Sequence, residues 1–169
     1  MLAAYRKGCD LEQGNACALL GEVYRRGALD VTRDPPRAAE TLELGCKYGA
    51  QSACVSLAEM FATGDGVAKN AARALELVSA ACKEKRVGSA CRVLARLYAA
   101  GDGVKKSVAI SIDLLEQGCQ LGDGQACEEA AAVFDKGKLV PKDKRRAERL
   151  YREACRWGRT TACSATKNG

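Results

Sequence analysis

Gly45-Cys46-Lys47-Tyr48-Gly49-Ala50-Gln51-Ser52-Ala53-Cys54 is the stretch on which the reading of this chain turns. A small residue and a cysteine close one helical pattern, a short glycine-containing turn follows, and an alanine and a second cysteine open the next. Close copies stand at Gly8–Cys17, Ala81–Cys91, Gly118–Cys127 and Ala154–Cys163. Regular self-similarity of this kind marks a repeat array, in which each unit packs against its neighbours rather than around one centre.

Other positions keep the same register. Alanine precedes every second cysteine (Ala16, Ala53, Ala90, Ala126, Ala162), and an aromatic follows it at Tyr24, Phe61, Tyr98 and Phe134. Glycine comes three residues later, at Gly27, Gly64, Gly101 and Gly137. Upstream of the first cysteines stand good helix caps, Asp34, Asn70, Ser107 and Asp143, with Pro35 placed where proline suits a first helical turn. Each unit therefore reads as a helix pair. Helix A is expected from the cap to just past the first cysteine, and helix B from the Ala-Cys pair to the glycine, where a left-handed cap is wanted. Within A, Ala74, Leu75, Leu77, Val78 and Ala81 form one broad apolar face; within B, Cys91, Leu94, Ala95 and Tyr98 do the same.

The expected architecture is all-α, an α-solenoid (α/α superhelix) of stacked helix-turn-helix units. It would run as a single array over 1–169, with repeats at 1–33, 34–69, 70–106, 107–142 and 143–169. The first A helix and the last B helix are cut short, so Met1 reads as a trimmed or processed start. Single-residue insertions between Tyr24 and Asp34 and between Cys82 and Cys91 are expected in loops. Apolar residues make up 47% of the chain but aromatics only 5%, which suits close helix packing through alanine and leucine. No apolar run approaches the length of a membrane span.

The pattern Leu20-Gly21-x-x-Tyr24-x-x-Gly27, with Leu94-Ala95-x-x-Tyr98-x-x-Gly101-x-Gly103-Val104, resembles the Sel1-like repeat, a TPR-like family. The paired cysteines make the chain similar to the bacterial cysteine-rich Hcp-type subgroup. Departures fall at Gly27-Ala28-Leu29 and Gly137-Lys138-Leu139, where the Gly-x-Gly is missing. The resemblance implies one A-to-B disulfide per repeat: Cys9–Cys17, Cys46–Cys54, Cys82–Cys91, Cys119–Cys127 and Cys155–Cys163. Spacing across an αα-turn is compatible with the Cα separation a disulfide needs, roughly 4.4–6.8 Å. Two other roles compete for these ten cysteines. Zinc would want four ligands converging at short spacing, and histidine is absent. Cysteine as a mere small apolar residue does not account for a five-fold double register. Five short-loop bridges, each contributing about 2.5 kcal/mol in the chain-entropy account, imply an oxidising home. A periplasmic or secreted location is expected, with the mitochondrial intermembrane space, where cysteine-rich relatives assist respiratory assembly, as the alternative.

The resemblance also implies function. In such arrays the A helices line a concave groove that binds protein or peptide. The A-helix positions outside the core stripe include Arg37, Glu40, Arg73, Glu76, Asp113, Arg146 and Arg149, which are the candidate contacts. Hcp-type relatives are associated with penicillin binding and weak β-lactamase activity, and Ser164-Ala165-Thr166-Lys167 matches S-x-x-K. It lacks the S-D-N and K-T-G elements that complete that site. No catalytic residue, metal or cofactor is expected, and the chain is expected to be a monomer. Charge is uneven: residues 136–159 carry a net +7 while the remainder sums to −1. This basic last repeat suits an acidic partner, or else a solvated array end. Nucleic acid is not expected, because aromatics do not interleave with the basic residues. The Gly-Asp-Gly-Val loops are turns, lacking the ligands of a calcium or phosphate loop.

Overall fold

A computed structural model describes residues 1–165, and every regular element among them is helical. The A helices are α1 (Leu2–Asp10), α3 (Pro35–Lys47), α5 (Ala71–Lys83), α7 (Val108–Gln120) and α9 (Lys144–Arg156). The B helices are α2 (Gly14–Arg26), α4 (Gln51–Thr63), α6 (Gly88–Ala100), α8 (Gly124–Lys136) and α10 (Thr160–Ala165). The chain is an all-α repeat solenoid. It divides into two compact units, Met1–Val78 and Ser79–Gly169, with the boundary inside α5.

Local chemistry sets the helix ends. Asp34, Asn70, Ser107 and Asp143 each accept a hydrogen bond from the backbone N–H three residues on, at Arg37, Arg73, Ile110 and Arg146. Each cap also donates its own N–H backwards, to the carbonyl of the registered aromatic: Asp34 to Tyr24, Asn70 to Phe61, Ser107 to Tyr98 and Asp143 to Phe134. Two positions that look independent in the sequence are thus one joint, which hangs each A helix on the B helix before it. B helices stop at Gly27, Gly64, Gly101 and Gly137, all left-handed, where a side chain would strain the backbone. Both inserted residues lie in connections, one in the 27–34 loop and one in the 84–87 loop.

The elbow between A and B is a Schellman turn in every repeat but the third, whose elbow holds the inserted residue. In the Gly45–Cys54 stretch, the Gly49 N–H donates to the Cys46 carbonyl and the Ala50 N–H to the Gly45 carbonyl, closing α3. The carbonyl of the same Ala50 accepts from the Cys54 N–H and so opens α4. One residue ends one helix and begins the next. This corrects the expected start of the B helices: they begin two residues ahead of the Ala-Cys pair, at Gly14, Gln51, Gly88, Gly124 and Thr160.

The turn holds A and B so close that only small residues fit between them. A Cβ on Gly45 would lie 2.8 Å from the Ala53 Cβ and 3.1 Å from both the Ala18 amide and the Gly14 carbonyl. Gly8 faces Ala16 and Gly118 faces Ala126 in the same way. Away from the elbow, larger side chains fill the space. Tyr24, Leu42, Leu57 and Met60 are buried with Ala38 and Ala53 in the first unit. In the second, Leu94, Leu97, Ile112, Leu115, Phe134 and Leu150 are buried, as are Ala126, Ala130 and Ala131. Gly45→Val should therefore force the α3–α4 elbow open and destabilise the chain by about 2–3 kcal/mol, read as a lower denaturant midpoint at unchanged slope.

Candidate interaction surface

All ten cysteines are in disulfides, and each bridge joins the A and B helices of one elbow. The pairs are Cys9–Cys17, Cys46–Cys54, Cys82–Cys91, Cys119–Cys127 and Cys155–Cys163, with Cα atoms 4.5 to 4.9 Å apart. That separation is at the short end for a disulfide and fits the Gly/Ala contact beside each bridge. No thiol remains for nucleophilic or redox work. Among the described residues, no group of three or more Cys, His, Asp or Glu side chains is arranged to hold a metal ion.

The A-helix residues that the sequence marks as contacts fall into two kinds. Arg37, Arg73 and Arg146 sit at the third residue after their caps and turn back onto the protein. The guanidinium of Arg37 lies 4.6 Å from the Tyr24 ring centroid, and that of Arg146 lies 4.3 Å from Phe134. Arg73 donates to Glu43 on the preceding A helix at 3.3 Å and to Glu76 at 3.0 Å. Arg146 grips Glu116 of α7 with both arms, at 2.8 and 2.7 Å. This hydrogen-bonded carboxylate, with Asp143 and Asp113 nearby, raises the Arg146 pKa against the effect of partial burial. Arg73 and Arg146 thus tie successive A helices together, while Arg37 packs on the B helix α2. Glu40, Asp113 and Arg149 are exposed, as is Glu76, and none of the ion pairs among the described residues involves Glu40, Asp113 or Arg149. These four and Glu43 each lie on the solvent side of their own A helix.

The B side carries charge that residue periodicity does not mark. Arg92, 7% exposed, stands where α2 has Ala18, and it donates to Asp123 at 3.2 Å. Asp123 also caps α8 through the Ala126 N–H. One linkage later the signs reverse: Glu128 accepts from Arg159 at 2.7 Å and from Thr161 at 2.8 Å. In α2, Glu22 accepts from Arg25 and Arg26. Arg25 in turn lies 3.9 Å from Glu59 of α4. Burial alone would push the carboxyls of Glu22 and Glu128 up. The hydrogen bonds and positive charges around them prevail, and both pKa values fall below the ordinary Glu value. No buried side-chain polar atom among the described residues lacks a partner.

The last A helix is the most charged. Arg145, Arg149, Arg152 and Arg156 are exposed on α9, and a cleft of about 560 Å³ is lined by Asp143, Arg145, Arg146, Arg149 and Arg152. Trp157 caps the C-terminus of the helix and is 53% exposed. Of the Ser164–Lys167 stretch, Ser164 is exposed and its hydroxyl donates to the Thr161 carbonyl at 2.8 Å, while Thr166 and Lys167 lie outside the described residues.

This helix-pair geometry agrees with sequence comparison. The model of the Sel1 repeat matches at residues 14–47, 51–85, 88–123 and 124–156. The chain belongs to the Sel1 repeat family. Its fold is similar to that of a Sel1 repeat protein from Oxalobacter formigenes, at a TM-score of 0.73 and 24% identity over 92% of this chain and 63% of that one. It is also similar to cysteine-rich protein B of Helicobacter pylori, at a TM-score of 0.59 and 29% identity over 75% of this chain and 96% of that one. The five disulfides fit this cysteine-rich subgroup. Among curated relatives, cytochrome c oxidase assembly factor 7 of Xenopus tropicalis is 34% identical over 77 residues, 46% of this chain. The match spans a third of that relative's length.

Two outcomes follow from the ion pairs. Arg92→Ala leaves Asp123 without its buried counter-charge and should cost about 3 kcal/mol in denaturant unfolding, whereas Arg26→Ala on the exposed side of α2 should cost under about 1 kcal/mol. Glu22 and Glu128 release their protons more readily in the folded chain, so their contribution is complete above the unfolded Glu value of about 4.3 and is lost as pH falls through the lower folded values. Thermal melts should show stability declining below about pH 4.3, and a Glu22→Gln/Glu128→Gln variant should show a shallower decline.

Proposed function

We propose that this chain is a disulfide-closed interaction module, an adaptor that binds a protein or peptide on the solvent faces of its A helices in an oxidising compartment outside the reducing cytosol. The observation that carries the reading is the division of labour in each repeat. Every cysteine is spent on an elbow, the core is filled largely by alanine and aliphatic side chains, and the charged side chains left outside the ion pairs, Glu40, Asp113 and Arg149, lie on A helices. Repeat scaffolds of this kind use such faces for recognition. Ten cysteines in five bridges favour the periplasm or the cell exterior, since thiols in reducing compartments do not stay paired. No described helix is long and apolar enough to cross a membrane. The chain needs no cofactor for this role and acts as a monomer.

A second reading places the chain in the mitochondrial intermembrane space as an assembly factor. It is favoured by the 77-residue match to the Xenopus tropicalis protein of that description. Both readings share the oxidised scaffold and the A-helix faces. A β-lactam-hydrolysing role has only Ser164 among the described residues, with its hydroxyl engaged by the Thr161 carbonyl.

The test is selection of random peptides against the oxidised full chain. Recovered peptides should bind the parent and lose at least tenfold in affinity with Glu40→Lys/Glu76→Lys/Asp113→Lys, while substitution of exposed B-helix residues leaves them unchanged. Recovery of no binder, or of binders indifferent to these A-helix changes, overturns the reading.

A further inference from the structure

Helix α9 inverts the charge that α3 and α7 carry at two register positions. Counted from each cap, the sixth residue is Glu40 on α3, Glu76 on α5 and Asp113 on α7, but Arg149 on α9. The ninth is Glu43 on α3 and Glu116 on α7, but Arg152 on α9. On α3 and α7 that ninth residue receives an arginine from the start of the following A helix: Glu43 from Arg73 and Glu116 from Arg146. A helix laid beside α9 in the same manner would meet a cation where α5 and α9 meet a carboxylate.

The inversion is concentrated in one line. Arg145, Arg149, Arg152 and Arg156 are spaced i, i+4, i+7 and i+11, so they fall within an arc of roughly 60° and run about 16 Å along the helix. All four are exposed, opposite the buried Ala147, Leu150 and Ala154. Arg156 is held by Glu153 at 3.0 Å. None of the ion pairs among the described residues involves Arg145, Arg149 or Arg152, and these three line the cleft of about 560 Å³. The one carboxylate in that cleft, Asp143, is already engaged as the cap of α9. Like charges at this spacing repel one another, and an anionic partner would relieve that repulsion.

We propose that this arginine line is a docking surface for an acidic helical segment of a partner protein, whose carboxylates at i, i+4 and i+7 pair with Arg145, Arg149 and Arg152. The proposal rests on the interaction-module reading and names the chemistry of its partner. A helix suits the line because the two share a pitch, and because guanidinium forks hold carboxylates in the geometry already present at Arg146 and Glu116. Glu148 and Glu153 flank the line on either side and confine it to about the width of one helix. That is narrow for the phosphates of a duplex or for an anionic membrane. Trp157 adds an apolar anchor at its end, beside a smaller cleft of about 240 Å³ that Arg149 and Leu150 also line.

The experiment is fluorescence anisotropy of the oxidised full chain with a labelled helical peptide of about 16 residues carrying Glu at i, i+4, i+7 and i+11. Its Gln counterpart serves as control. The Glu peptide should bind roughly tenfold or more tightly than the Gln peptide and weaken steeply between about 0.05 and 0.5 M NaCl. Arg149→Glu/Arg152→Glu should abolish that preference, and a Lys peptide of the same spacing should bind this variant, so that loss of binding is not mistaken for misfolding. The proposal is overturned if Glu and Gln peptides bind alike, or if the double variant keeps its affinity. It is overturned equally if short duplex DNA or phosphatidylserine-containing vesicles bind these arginines more tightly than the peptide, or if sedimentation shows the arginines occupied by a second copy of the chain. Random-peptide selection on Glu40, Glu76 and Asp113 separates the two ideas: if it still yields binders, only the acidic-helix proposal falls.

Discussion

Everything in these repeats depends on how near two helices come at the elbow. Cα atoms 4.5 to 4.9 Å apart at each disulfide leave no space for side chains beside the bridge. The residue before each first cysteine is Gly or Ala, and the residue before each second is always Ala. Bridge and small-residue contact are mutually dependent. A larger residue would push the sulfurs apart, and without the bridge a nine-residue turn of this tightness would be held only by its two backbone hydrogen bonds and weak dispersion. The covalent bond acts within a helix pair, so pairing between repeats is left to other forces.

Beyond the apolar packing that buries Tyr24 with Leu42 and Leu57 of the next repeat, those forces are of two kinds. One is the backbone joint from each cap amide to the carbonyl of the preceding aromatic, made four times with donor–acceptor distances of 2.8 to 3.1 Å. The other is side-chain charge, which differs from linkage to linkage. Ala18 packs as an apolar residue in α2, Arg92 meets Asp123 after α6, and Glu128 meets Arg159 after α8. A repeat fold tolerates such exchange because each interface is local: reversing a pair at one junction leaves the others unaffected. The variable charges also carry individuality, since the backbone joints are the same in every repeat.

Individuality is greatest on the A-helix surface. There Arg73 and Arg146 are spent on stitching α5 to α3 and α9 to α7, which removes them from any recognition role that their position in the sequence suggests. What remains outward is acidic on α3 and α7 and basic on α9. Function in this protein therefore lies in the side chains that the packing leaves over.

The amino-acid sequence makes the helix pairs, the all-α solenoid class and the family legible, because period, caps and C-terminal glycines are local signals that each act over a few residues. It also carried the charge imbalance of the last repeat. The folded chain is needed to see that the B helices begin at the residue after the elbow, because Ala50 serves two helices at once and no pattern of residue types marks that double use. It alone separated Arg37, Arg73 and Arg146, folded back onto rings and carboxylates, from Arg149, left in solvent. All four are arginines on the same kind of helix. What holds Arg73 and Arg146 is a carboxylate some thirty residues away, and one-dimensional periodicity does not record that distance.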